Sequence, residues 1–167
     1  MTPTRLVGLA AAGIVFFSDQ LVKWIVVEHL QLPSRGAIDV LPIFRLTWVG
    51  NHGVSMGFLT ATTPLGRWLL VALTVAIAIG VLVWLWREKI RGDALALGLV
   101  LGGALGNISD RLRFGFVVDF LDLHFGDIHP FLVFNVADAA ITIGVLLLLL
   151  RALLTRQKPG PAEDLHA

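Results

Sequence analysis

Two aspartates occupy places where an apolar chain has little reason to keep a charge. Asp119 sits in Gly115-Phe116-Val117-Val118-Asp119-Phe120, and Asp138 in Phe134-Asn135-Val136-Ala137-Asp138-Ala139-Ala140-Ile141. A carboxylate near hydrocarbon costs at least ~2.5–3.5 kcal/mol on insertion scales, so each is a functional candidate by default. As a pair they have a defined chemistry. Two carboxyls about 3 Å apart cannot both ionise cheaply, so one pKa rises strongly. One group stays charged and takes a proton from water, while the other stays protonated and donates to a carbonyl oxygen, as in aspartic proteases. The titration belongs to the pair, so neither residue is given a separate role. Each also has a plainer reading: Asp138 as a helix cap and Asp119 as an ordinary loop carboxylate. Spacing leaves these open, because the nineteen positions between them match no helical period and only the fold can bring them together.

The elements that must position them are written in the composition. The 167 residues are 56% hydrophobic and 15% charged, with a mean hydropathy of +0.82. A soluble domain is roughly 45–50% apolar and ~25% charged. The chain therefore reads as an all-α polytopic membrane protein, a single membrane-embedded domain over residues 1–156 followed by a disordered cytoplasmic tail at 157–167 that contains Pro159, Gly160 and Pro161. Four stretches, at about 6–27, 68–86, 94–110 and 136–154, approach the ~20 residues a bilayer core demands. The first could be mistaken for a signal peptide, but its apolar run continues past Asp19 and Lys23 and reads as a retained span. Cysteine is absent, which excludes a disulfide framework, a thiolate nucleophile and Cys-ligated metal. A net charge of +1 without a basic stripe gives no sign of nucleic-acid binding.

Basic residues set the orientation. Arg5, then Arg87, Lys89 and Arg91, then Arg151, Arg156 and Lys158 fall on one side, whereas the longer opposite loops hold only Arg35, Arg45, Arg67, Arg111 and Arg113. Both termini are expected in the cytoplasm, with outer loops at about 28–67 and 111–135. In the first of these, 38–41 and 44–49 have strand-like composition punctuated by Pro33, Pro42 and Gly50, so a small extracytoplasmic β-sheet cradle is expected. Trp48, Trp68, Trp84 and Trp86 fall near span ends as interfacial aromatics do. Asp119 and Asp138 then share the outer side, near the ends of the third and fourth spans.

Other residues are weighed beside them. Asp19 and Lys23 are four apart on the first span and suit a helix ion pair, with Lys23 close enough to the outer end to snorkel. Asp110 and Arg111 suit an interfacial ion pair or a helix-end contact, and Asn107 and Asn135 suit hydrogen bonds to backbone or substrate. Gly53-Val54-Ser55-Met56-Gly57 matches the serine-hydrolase elbow, but that pattern needs an α/β sheet around it. The segment from Gly50 to Gly57 has three glycines and suits a hinged lid over the site. His52, His124 and His129 lack metal-ligand spacing, so no metal or cofactor is expected. Gly98, Gly102, Gly103 and Gly106 suggest close helix packing.

Five blocks, in order, carry a family resemblance. Asp19-Gln20-Leu21-Val22-Lys23, Asn51-His52-Gly53-Val54-Ser55, Gly106-Asn107-Ile108-Ser109-Asp110-Arg111, Gly115-Phe116-Val117-Val118-Asp119-Phe120 and Phe134-Asn135-Val136-Ala137-Asp138 together resemble the signatures of the signal peptidase II family. The resemblance implies a bacterial inner-membrane aspartic endopeptidase, multi-pass, with its site at the outer face. Its substrate would be a prolipoprotein whose lipobox cysteine already carries diacylglycerol, cut just before that cysteine. By the resemblance, Asp119 and Asp138 are the catalytic dyad. Asn51, Gly53, Asn107, Asp110, Arg111 and Asn135 bind substrate or support the dyad, and Asp19 and Lys23 fall on a further motif. The expected partners are the diacylated signal peptide and membrane lipid, with the protein acting as a monomer. The main alternative is a proton- or ion-coupled transporter using the same carboxylates, against which stand only four spans and no inverted repeat. Presenilin-like and rhomboid proteases are set aside because Tyr, Gly-x-Gly-Asp and Gly-x-Ser-Gly are all missing. A non-catalytic assembly or lipid-binding protein is the remaining class.

Overall fold

The computed structural model describes residues 1–53, 64–126 and 128–155. The elements run α1 (Pro3–Trp24), a π-helical turn (Ile25–His29), a single-turn α2 (Leu32–Arg35), β1 (Ala37–Leu41), β2 (Phe44–Asn51), α3 (Pro64–Arg87), α4 (Arg91–Arg113), β3 (Val117–Leu123) and α5 (Val136–Thr155). Among the described residues, four helices are long and apolar enough to cross a membrane: Pro3–His29, Leu65–Arg87, Arg91–Arg113 and Val136–Leu154. The first three run a few residues past the apolar stretches at 6–27, 68–86 and 94–110, because their polar end turns remain helical, while the fourth has the bounds expected of it. Thr2 caps α1 by accepting from the Arg5 amide, with Pro3 in the first turn where its missing N–H leaves nothing unsatisfied.

The central helix is α4, packed against α1, α5 and α3. Its glycines make this possible. A Cβ on Gly102 would lie 2.5 Å from the Ala12 carbonyl oxygen, and one on Gly98 would run into Gly8 of α1. Gly103 makes the same approach to Ala137 of α5. Small residues let backbones close up where lipid offers no hydrophobic drive for association. At the bundle end where α3 runs into α4, Arg5 Nε donates to the Trp86 carbonyl (2.8 Å) and Arg151 pairs with Asp93 (2.8 Å).

At the other end sits an antiparallel sheet of order β1-β2-β3. β1 and β2 lie in the segment whose composition suggested strands. β3 comes from the second loop, so Asp119 stands in an ordered strand rather than in an irregular loop. β3 is also tied to the chain entering α5: the Leu121 amide donates to the Phe134 carbonyl (2.8 Å), and the Phe134 amide returns to Leu121 (3.0 Å). Val118 and Phe120 bury one face of β3 against Val26 and Leu32. Side chains alternate along a strand, so Asp119 points the other way. Trp48 belongs to β2 and packs edge-on to Phe116 rather than flanking a span. Ser55, the second half of the proposed lid (54–57) and the 157–167 tail lie outside the described residues.

Candidate active site

Among the described residues seven polar or charged side chains are buried: Asp19, Lys23, Asn107, Asp110, Asp119, Asp122 and Asn135. All but Asp122 belong to one network at the sheet end of the bundle, and Asp138 joins it from the first turn of α5.

Asn135 is the residue on which the two aspartates meet. Its side-chain amide donates to Asp119 Oδ1 at 2.6 Å. Its Oδ1 accepts from the Asp138 amide at 2.9 Å, and its own amide donates to Asp138 Oδ2 at 3.3 Å. This is a reciprocal capping box, with Asp138 at the third helical position. The helix-cap reading of Asp138 is therefore correct and does not exclude a chemical role, since the cap uses only Oδ2 and the carboxylate is half-buried rather than enclosed. Asn107 from α4 completes the frame. It donates to Asp138 Oδ1 (2.8 Å), while its Oδ1 accepts from Asn135 (3.2 Å) and Lys23 (3.4 Å).

Asp119 is 1% exposed. Its second oxygen accepts from Asn51 Nδ2 at 2.9 Å. Antiparallel register makes this possible: Val117 pairs with Asn51 and Asp119 with Val49, so Asn51 and Asp119 are diagonal neighbours on one face. The Gly53 amide donates to Asn51 Oδ1 (2.9 Å), which aims the Asn51 amide nitrogen at Asp119. Gly53 has φ +102°, a conformation that favours glycine. Burial pushes the Asp119 carboxyl up to about 6; the bond from Asn51 opposes this, the charge of Asp138 adds to it, and Asn135 and Lys23 pull it down.

Beneath the aspartates Lys23 is 4% exposed and does not snorkel. Its ammonium sits 2.8 Å from Asp19 Oδ2 and 2.7 Å from Asp110 Oδ2, and two buried carboxylates hold it inward more strongly than solvent draws it out. Asp110 thus pairs with Lys23 and not with its neighbour Arg111. The Arg111 guanidinium leans on the Asn107 carbonyl (3.5 Å) and feels Asp138, Asp119 and Asp110. Its Nε is buried and makes no hydrogen bond among the described residues.

Two groups had no signal in the sequence. Gln20 donates to Asp110 Oδ1 (3.0 Å) and Asp19 Oδ2 (3.2 Å), yet its partner lies 90 positions away. Asp122 accepts from Arg45 (2.8 Å) and Thr47 (2.9 Å) and meets His129 Nδ1 (2.9 Å). Only strand register pairs them, through Arg45 opposite Asp122. Burial opposes its charge, but these bonds outweigh it and hold Asp122 at about 2. Among the described residues no group of His, Asp or Glu is placed to hold a metal ion.

An apolar cleft of about 580 Å³ opens beside Asp138, walled by Leu123, Phe131, Leu132, Phe134, Thr142 and Ile143. Leu132 is 92% exposed on its rim. A groove of about 420 Å³ between α1, α3 and α4 lies away from the carboxylates and has only apolar and glycine lining, so it offers no chemistry.

Known proteins resemble the chain over nearly its whole length. Two solved structures described as bacterial membrane enzymes superimpose with TM-scores of 0.77 and 0.74 at 28% and 29% identity. The first covers 93% of both chains, the second 87% of this chain and 92% of the other. A lipoprotein signal peptidase of Rhizorhabdus wittichii is 59% identical over 98% of this chain and 95% of its own length. That of Sphingopyxis alaskensis is 52% identical over 97% and 94%. The model of the Signal peptidase (SPase) II family matches residues 11–154, and the chain belongs to that family of peptidases.

Proposed function

We propose that this membrane peptidase removes the signal peptide from prolipoproteins by means of Asp119 and Asp138, which act as a water-activating dyad. The observation that carries the reading is the shared donor. Asn135 binds Asp119 with its side chain and Asp138 with its backbone, fixing two carboxyls of unlike environment, one enclosed and one facing an apolar cleft. Unlike environments push paired titrating groups apart, which is what acid and base roles require.

In the working state the pair holds one proton. The ionised member takes a proton from a water lying between them as that water attacks the scissile carbonyl. The protonated member donates to the carbonyl oxygen. Collapse then returns a proton to the leaving amine. A low-dielectric surround strengthens each of these interactions. Arg111, half-buried and with its Nε unbonded among the described residues, suits a peptide carbonyl, and so does Asn51, exposed at the end of β2 beside Asp119. The apolar cleft beside Asp138 suits the acyl groups of a diacylglyceryl-modified cysteine, with cleavage just before that residue. Family membership favours this reading over a transporter.

The excess of basic residues at the end opposite the sheet supports cytoplasmic termini and a site on the outer face of the inner membrane. The decisive experiment gives a purified diacylated prolipoprotein to wild type, Asp119→Asn and Asp138→Asn. We expect cleavage by wild type and a loss of at least ~10⁴-fold in either variant, comparable to loss of a triad member. Substantial activity in either would sink the dyad.

A further inference from the structure

Lys23 is almost wholly buried, at 4% exposure, yet three routes lead from its ammonium to the two aspartates. It has three N–H donors and three acceptors: Asp19 Oδ2, Asp110 Oδ2 and Asn107 Oδ1. Each acceptor then holds the residue beside a dyad carboxylate or the carboxylate itself. Asp19 Oδ1 accepts from the Ala137 amide at 3.0 Å, one residue before Asp138. Asp110 Oδ2 accepts from the Val118 amide at 3.1 Å, one residue before Asp119. Asn107 donates to Asp138 Oδ1 directly.

We propose that Lys23 is a positioning residue for catalysis, a single cation that sets the spacing of the dyad by clamping the backbone immediately ahead of each aspartate. The inference rests on the dyad reading above. Without the ammonium, Asp19 and Asp110 repel, and the two amides they hold belong to different elements, β3 and α5. Each amide directly precedes one of the reacting groups, so a shift between them is carried to the dyad. Misplacement of about 1 Å can cost on the order of 100-fold in rate. Gly106 shows how closely the clamp is built, since a Cβ there would lie 2.6 Å from Asp19 Oδ2.

The test compares wild type, Lys23→Met, Lys23→Arg and the double variant Lys23→Met/Asp110→Asn, which removes one negative charge together with the positive one. Dyad variants are run alongside. Each is purified in detergent, its folded fraction counted by size exclusion and thermal melting, and kcat and KM measured per folded molecule across pH 5–9. The charged groups acting on Asp119 are Asp138 of α5, Lys23 of α1 and Arg111 of α4. Lys23→Met is expected to lower kcat by about 10- to 100-fold with KM changed less than about two-fold. Its alkaline limb should move to higher pH, because a cation that favours ionised Asp119 is gone. Lys23→Arg should restore part of the rate and the wild-type limb. If Lys23→Met fails to fold, the double variant gives the same reading. A purely structural lysine would lower the melting temperature or yield and leave kcat per folded molecule and the pH profile unchanged, and that result overturns the proposal. Activity in Asp119→Asn or Asp138→Asn would instead overturn the dyad, so the two failures are distinct.

Discussion

At the scale of single residues, the environment of Asp119 sets a sign for pH effects. Its carboxyl is raised to about 6 chiefly by burial. A raised carboxyl favours the folded state while it is neutral. That contribution is complete below about pH 4 and is lost as pH climbs through about 6. Asn51 opposes the rise by donating to Asp119. Asn51→Ala should therefore lift the Asp119 carboxyl further and carry the alkaline limb of kcat to higher pH. A rate profile over pH 5–9 that stays put or moves down would contradict the assigned bond. The two aspartates themselves were legible, since a charge inside an apolar run stands out in any sequence. The inward course of Lys23 was not, because snorkelling and burial look alike until the partners are known. Gln20 and Asp122 were invisible for the same reason: their bonds span 90 and 77 positions.

At the scale of elements, hydropathy reveals long helices well and strands poorly. β1 and β2 have turn residues around them. β3 lies in Val117-Val118-Asp119-Phe120-Leu121, an apolar run with no alternation to read, because both of its faces are covered. The sheet has its own electrostatic clasp. Asp122, held at about 2, joins Arg45 and Thr47 of β2 to His129 beyond β3. A lowered carboxylate contributes stability above its unfolded value, near 4, and loses it as pH falls toward 2. Asp122→Asn should lower the melting temperature at pH 7, with the gap to wild type closing as melts are taken toward pH 2. A gap that holds constant down to pH 2 would show that packing, and not the ionised carboxylate, is responsible.

At the scale of the whole molecule, α4 is the mast against which α1 and α5 are set, and glycine decides how near they come. Gly98→Ala places a methyl against Gly8 and 3.0 Å from the Ala11 Cβ. The helices must separate, at a cost of about 1–3 kcal/mol as for other overpacked sites. Gly13, on the same bundle, has nothing within 4 Å of a Cβ. Gly13→Ala should be neutral or stabilising by about 0.4–1 kcal/mol. Melting curves of the two variants in one detergent check the contrast, and equal losses would refute close packing as its origin.

The pairing of Lys23 with Asp19 on one helix also has a meaning in time. Asp110, the other carboxylate on that lysine, lies 87 positions later in the chain. At ~5–20 residues per second of synthesis, it arrives about 4–17 s after Lys23. Until then a lone ammonium would have to enter the bilayer uncompensated. Asp19, one helical turn away at 2.8 Å, makes α1 locally neutral from the moment it forms. The first span is therefore born with its own counter-ion, and later exchanges an exclusive partnership for a shared one when α4 docks.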